Sequence, residues 1–125
     1  MTILEALAEK PKSAKTRSPL PEGAHRVYAI SFDMDIESLR TAYGDPYNNA
    51  YTEIKKILVS HGFIWQQGSV YFGGDKINAV TCVLAAIDLA TKLPWFSASV
   101  RDIRMLRIEE LNDLMPAVQS VADKD

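Results

Sequence analysis

The chain has 125 residues, 47% of them hydrophobic, and a net charge of −2. That is long enough for one domain with one core, and too apolar for a polypeptide disordered throughout. The near-neutral balance argues against a non-specific duplex binder, no apolar run approaches the roughly 20 residues of a membrane helix, and a lone cysteine, Cys82, excludes an internal disulfide or a cysteine-built zinc site.

Charge is uneven along the chain. Residues 1–26 carry five bases and three acids, residues 27–108 eight of each, and residues 109–125 one base and five acids. Any nucleic-acid contact is therefore local, and Arg101, Arg104 and Arg107, spaced three apart, form the best basic cluster. The start, MTILEALAEK, has acids where a secretory signal carries bases and lacks a long apolar run, which points to a cytoplasmic protein.

A short helical stretch, Ile3 to Lys10, leads into KPKSAKTRSPLPEGAHR, whose Lys, Pro and Ser read as a linker. The folded domain is expected over residues 27–125. Val27–Asp33 alternates bulky Tyr28, Ile30 and Phe32 with thin Ala29 and Ser31, a strand that ends on a carboxylate. A helical turn opened by Asp35 stops near Gly44. Asp45-Pro46 then reads as an N-cap followed by proline at the first helical position. That helix runs to about Ser60, with Tyr47, Ala50, Tyr51, Ile54, Ile57 and Leu58 on one side and Gly62 just past its end.

Two short strands follow, Phe63–Gln66 and Ser69–Phe72, joined at Gln67-Gly68. Gly73-Gly74-Asp75 closes the hairpin, and Asp75 is the candidate cap of a helix from Lys76 to Lys92. Ile77, Val80, Leu84 and Ile87 form its apolar stripe. SVRDIRMLRIEE is the last strand, and its alternation slips near Arg104–Leu106, as at a bulge or an edge. The tail after it is acidic, with one weak helical turn. His25 falls in the linker and His61 in a helix's last turn, so the two histidines are not a ligand pair.

The order β-α-β-β-α-β predicts an α+β, ferredoxin-like sandwich: a four-stranded antiparallel sheet with both helices on one face. The thinner row, Ala29, Ser31 and Tyr71, would face outward and meet a partner, most economically a second copy in a homodimer. With strand order 4-1-3-2, the end of strand 1 lies beside the starts of strands 3 and 4. That edge collects Asp33, Ser69, Ser99, Arg101 and Asp102, with Asp35, Tyr47 and Asn48 nearby.

Carboxylates, hydroxyls and arginines without a Cys–His pair suit phosphodiester cleavage. A carboxylate accepts the proton of a ribose 2′-hydroxyl or water, and an arginine stabilises charge on the phosphate. Two carboxylates across a dimer axis can instead hold a magnesium ion, with Asp33 the residue that would meet it. Tyr28, Tyr47, Tyr71 and Trp65 offer rings for stacking on single-stranded bases. Each residue has a structural reading too. Asp33 can cap the next helical turn, Asp102 can pair with Arg101 or Arg104, and Ser69 can satisfy a turn. The arginines can guard an edge strand, and Trp65, Trp95 and Phe96 can anchor the core or an interface. GGD after the third strand lacks the lysine and spacing of a phosphate loop.

YAISFDMDIESLRTAYGDPYNNAYTEIKKIL, GFIWQQGSVYF and WFSASVRDIRMLRIEE closely resemble the virulence-associated protein D (VapD) family, over roughly Val27 to Met115. The motifs AxxFD, YGxPYxxAY, GFxWxQGSVY and WFxxSVRDIR are long and, together, specific. The resemblance implies a small homodimeric endoribonuclease, ferredoxin-like and akin to small CRISPR-associated nucleases, and some members look like toxins paired with a small antitoxin. It implies that Asp33, Ser69 and Asp102 match functional positions, and that Leu39 matches a further one whose first reading is packing. Asp35 departs from the family pattern. Residues 1–26 lie outside the resemblance and are expected to be a disordered arm or the product of a misplaced start codon, Val27 standing where relatives begin.

The function expected is an endoribonuclease acting on single-stranded or unpaired RNA. Asp33, Ser69 and Asp102 would be catalytic; Arg101, Arg104, Tyr47, Asn48 and Leu39 would bind substrate. The alternative is a non-catalytic dimer that binds nucleic acid or a partner protein, which the net-neutral domain favours.

Overall fold

The structure is a computed structural model and describes residues 27–122. The helical stretch and linker expected over residues 1–26 lie outside the described residues. In chain order the elements are β1 (Val27–Met34), α1 (Ile36–Ala42), α2 (Asn48–Ser60), β2 (Phe63–Gln67), β3 (Val70–Gly73), α3 (Ala79–Lys92), α4 (Phe96–Ser99), β4 (Val100–Ile108) and α5 (Met115–Ala122). The strands form one antiparallel sheet in the order β2-β3-β1-β4, the ferredoxin-like arrangement. β4 is an edge strand. The shift of pairing lies at its start, between Asp33 and Met34 of β1, and not at Arg104–Leu106.

Alternation along β1 divides two cores. Ile30, Phe32 and Met34 pack with Ile54, Ile57 and Leu58 of α2 and with Cys82, Ala85 and Leu89 of α3. Tyr71 was expected on the outward face but belongs to this helix-side core. Ile30 is its direct partner across the sheet, and partners share a face. Ala29 instead opposes Phe72. With Val27 they form a small second core on the other face, against which Val70, Ile108 and Leu111 pack.

Local signals explain several element ends. Asp35 caps α1, its Oδ1 accepting from the Ser38 N–H at 3.1 Å. Gly44 and Gly62 both take positive φ after a helix, as the C′ position asks. Asp45 is not the cap of α2. The helix starts at Asn48 behind Tyr47, because the Pro46 and Tyr47 carbonyls already accept from Asn49 and Ala50, while the Asp45 carboxylate reaches Arg40 at 3.6 Å.

α3 departs most from expectation. It begins at Ala79, with Asn78 and Thr81 in a reciprocal capping box, and Asp75 does not cap it. Residues before it form a turn, Ile77 N–H donating to the Gly74 carbonyl at 3.1 Å, so that Ile77 packs down on Gly73. The face it buries is Cys82, Ala85 and Leu89. Of the expected stripe, Ile77 is buried ahead of the helix, and Val80, Leu84 and Ile87 are exposed, with Val83 beside them. The C-terminal helix is longer than the one turn expected, but it buries no side chain.

Candidate active site

Two acids far apart in sequence become neighbours through strand pairing. Asp33 and Asp102 are direct partners of β1 and β4. Such partners share a face with Cα atoms roughly 4.5–5.5 Å apart. Like charges placed directly opposite repel, so the rim needs positive charge, and the bulge supplies it. Asp33 opposes Asp102 and Met34 opposes Val100, which leaves Arg101 as the extra residue. A bulge turns such a residue off the regular alternation. The Arg101 guanidinium spans two acids: Nη1 donates to Asp33 Oδ2 at 3.5 Å, and Nη2 lies 3.7 Å from Asp35 Oδ2. Arg104 Nε donates to both oxygens of Asp102, at 3.2 and 2.9 Å. Arg107 pairs with Glu109 at 2.7 Å.

All these charged groups at the rim are exposed or nearly so. Their ion pairs are screened and readily exchanged. An incoming phosphate can therefore take over an arginine without a large desolvation penalty. Asp33 does not cap α1; the cap is Asp35, which the sequence already places at the opening of the turn. The Ser38 backbone N–H, followed by Arg101, holds its carboxyl below the ordinary value. Its own N–H donates to the Ser99 carbonyl at 2.8 Å, which ties α1 to the start of β4. Asp33 is thus left without a capping role, and among the described residues its ion-pair partner is Arg101.

The remaining sequence candidates separate. Ser69 stands just before β3, its carbonyl accepting from the Phe32 N–H at 3.1 Å, so it sits one strand over from Asp33 and toward the helices. Tyr47 is half-buried at the start of α2, with the Arg40 guanidinium 5.0 Å from its ring centre, and Asn48 is exposed beside it. Leu39, expected among the substrate-binding residues, is fully buried in the main core, in keeping with its first reading as packing. Ser99 was placed at the rim by topology. It is fully buried instead, with its hydroxyl unpartnered among the described residues, because the short α4 turns it inward before β4 begins. Tyr71 is buried with a hydroxyl pushed up to about 12 by that burial, and offers no open ring.

Trp65 is not a core anchor. It is exposed on β2, its indole N–H donates to the Gly68 carbonyl at 3.0 Å, and the Lys55 ammonium lies 5.1 Å from its ring centre. Lys55 escaped the sequence reading altogether. The available signal was its spacing: it falls on the α2 face shared by Tyr51 and Thr52. Tyr51 links that face to the rim, since its hydroxyl is pushed up by burial, then by Tyr47 and the Asp33 carboxylate. Among the described residues no three histidines, cysteines or acids stand close enough to hold one metal ion.

Fold and rim together define a small ferredoxin-like domain with paired carboxylates and arginines exposed along one edge of its sheet. No protein-family model matches the chain. Individual relatives do. It is 53% identical over 93 residues, 74% of its length and 99% of the relative, to a protein named Endoribonuclease VapD 2 from Riemerella anatipestifer. It is 50% identical over 95 residues, 76% of the chain and 99% of the relative, to an Endoribonuclease VapD homolog from Helicobacter pylori. Endoribonuclease VapD from Dichelobacter nodosus is 46% identical over 93 residues, covering 74% and 98%. The chain belongs to the endoribonuclease VapD family.

Proposed function

We propose that the protein is an endoribonuclease that cleaves single-stranded or unpaired RNA. The observation that carries this is the register pairing of Asp33 with Asp102, with Arg101 bulged out over the first of them. One carboxylate accepts the proton of the attacking 2′-hydroxyl or water. That same proton is then passed by way of the paired carboxylates to the leaving oxygen, and Arg101 and Arg104 exchange their carboxylate partners for the phosphate. Ser69 positions the strand from the neighbouring β3 side, while Tyr47 and Asn48 offer contacts at the start of α2. The relatives named as endoribonucleases match nearly end to end, which supports the same reaction here. The near-neutral domain disfavours a duplex and favours a short unpaired segment held by local contacts.

Asp33→Asn and Asp102→Asn should each lower cleavage of a labelled RNA by about a hundredfold, the lower range for one acid–base group. Full activity in both, with the fold intact, removes the site. The same assay with EDTA tests for metal. A magnesium ion would take Asp33 or Asp102 as ligands and keep waters or phosphate oxygens for the rest. The second reading is a non-catalytic binding dimer. It is favoured by the net-neutral charge of residues 27–108, and it predicts RNA retention without cleavage.

The working unit we propose is residues 27–125, with residues 1–26 as an extension. The relatives' alignments, 93 to 95 residues long and spanning 98% or more of each relative, support that division. A homodimer is part of the proposal, supported by the apolar α3 face and the open β4 edge, which a second copy or a small antitoxin protein would cover. No helix among the described residues is long and apolar enough to cross a membrane. Buried, unpaired Cys82 is in keeping with a cytoplasmic location.

A further inference from the structure

Between α2 and the β2–β3 hairpin lies a groove of about 460 Å³, lined by Tyr51, Thr52, Lys55, Trp65, Ser69 and Tyr71. Its size is in the range of small-ligand sites, and its walls combine aromatic surface with a few polar groups. Trp65 forms one wall and is fixed in orientation by its bond to the Gly68 carbonyl. Lys55 has the Trp65 ring as its partner and makes no ion pair among the described residues, whereas Arg101, Arg104 and Arg107 are all paired. One end of the groove is Ser69, whose carbonyl is bonded to the residue before Asp33. Strand spacing and rise put the backbones of Trp65 and Asp33 on the order of 10–15 Å apart, and because Asp33 alternates to the face opposite Trp65, a strand that meets both passes around the open end of β1.

We propose that this groove is a nucleobase subsite: a base of the RNA next to the scissile linkage stacks on Trp65, and its phosphate is taken by Lys55. The proposal rests on the RNA-cleavage reading and adds a second contact region to it. An ammonium over an exposed indole is weakly held, and a phosphate offers it a charge-assisted hydrogen bond. On binding, Lys55 moves from the ring to the phosphate, and the ring face it covered becomes free for the base. Any base has a face to stack, so the subsite holds the strand in place without demanding one sequence. The strand then runs past Ser69 and Tyr51 to the rim, which gives Ser69 a positioning role between the two regions.

Trp65 and Trp95 are the two tryptophans of the chain, so Trp95→Phe leaves Trp65 as the sole indole reporter. Titration of that variant with a short 2′-O-methyl oligoribonucleotide should quench its emission saturably. Adding Lys55→Met should weaken this binding and reduce the slope of log affinity against log salt by about one. In the cleavage assay Trp65→Ala should raise KM about tenfold with kcat little changed, and Trp65→Phe should recover most of the loss. Absence of saturable quenching, or quenching that Lys55→Met leaves untouched, overturns the subsite whether or not RNA is cleaved. So does an unchanged KM for a folded Trp65→Ala variant whose cleavage still depends on Asp33. Saturable, Lys55-dependent quenching in a protein that cleaves no RNA sustains the subsite and removes the enzymatic reading alone.

Discussion

α2 and α3 lie over the same face of one sheet but meet it with different kinds of side chain. α2 buries Ile54, Ile57 and Leu58 along with Ala50, and its polar residues face outward. α3 buries Cys82, Ala85 and Leu89, and turns Val80, Val83, Leu84 and Ile87 to the outside. Small Cys82 and Ala85 join the core with Ile30, Phe32 and Met34 of β1, while Val80, Val83, Leu84 and Ile87 lie exposed. In α2 the sequence has one apolar side, so periodicity finds the buried face. α3 is apolar on two sides, and periodicity identifies a helix without saying which side is in. The outward row of branched residues on α3 is the face that the proposed dimer would cover.

The strongest break of this contrast is Leu58→Ala. Leu58 is fully buried, and its truncation should cost about 2–5 kcal/mol in urea unfolding. Gly73→Ala comes next. A Cβ there would stand 2.5 Å from the Cβ of Ile77, the residue that seats the turn before α3. Overpacking of this kind should lower stability by about 1–3 kcal/mol, whereas Gly74→Ala, which meets only the Gly62 carbonyl at 3.5 Å, should be much milder. Leu84→Asp tests the outward face. It should change unfolding by no more than about 0.5 kcal/mol per protomer and yet reduce self-association in sedimentation velocity. A marked loss of monomer stability would mean that Leu84 is a core residue after all.

The smallest effect concerns the clip between the two helices. His61 Nε2 and Lys92 Nζ lie 2.8 and 3.1 Å from Asp88 Oδ2, and these partners hold the Asp88 carboxyl below its ordinary value. A carboxyl lowered in the folded state stabilises above its unfolded pKa, and that contribution is lost as pH falls through the folded value. Thermal melts of Asp88→Asn should therefore fall below those of the unaltered protein at pH above about 4 and converge with them in stronger acid. His61 was read only as a residue near a helix end. Its link to α3 depends on two helices meeting, which no local spacing reveals.

The site was legible to a similar depth. Asp33 and Asp102 were singled out because a carboxylate at a strand end is unusual and because the fold's topology brings those ends together. Asp35 opens the helical turn as the sequence reads, its carboxylate accepting from the Ser38 backbone N–H. The same topology misplaced Ser99, since a helical turn intervenes before β4, and misplaced Tyr71, since hairpin register decides its face. The slip near Arg104–Leu106 reads as a bulge or an edge; β4 is an edge strand, and its bulge stands at Arg101. Its position depends on which residue of β1 each residue of β4 meets, a matter of pairing and not of alternation within one strand.

By itself the sequence determined the order of the four strands and of every helix but α4, the cap at Asp35 and the glycine ends at Gly44 and Gly62, the buried side of α2, and the two acids worth following. These depend on forces that act within a few residues: hydrogen bonds to a helix end, backbone sterics, and the period of apolar side chains. Only the tertiary structure decided that Arg101 bulges toward Asp33, that Lys55 rests on Trp65 across a groove, and that α3 turns its larger side chains outward. Each of those follows from registers and packing between segments distant in the chain, where the energy of one arrangement depends on every surface that it brings into contact.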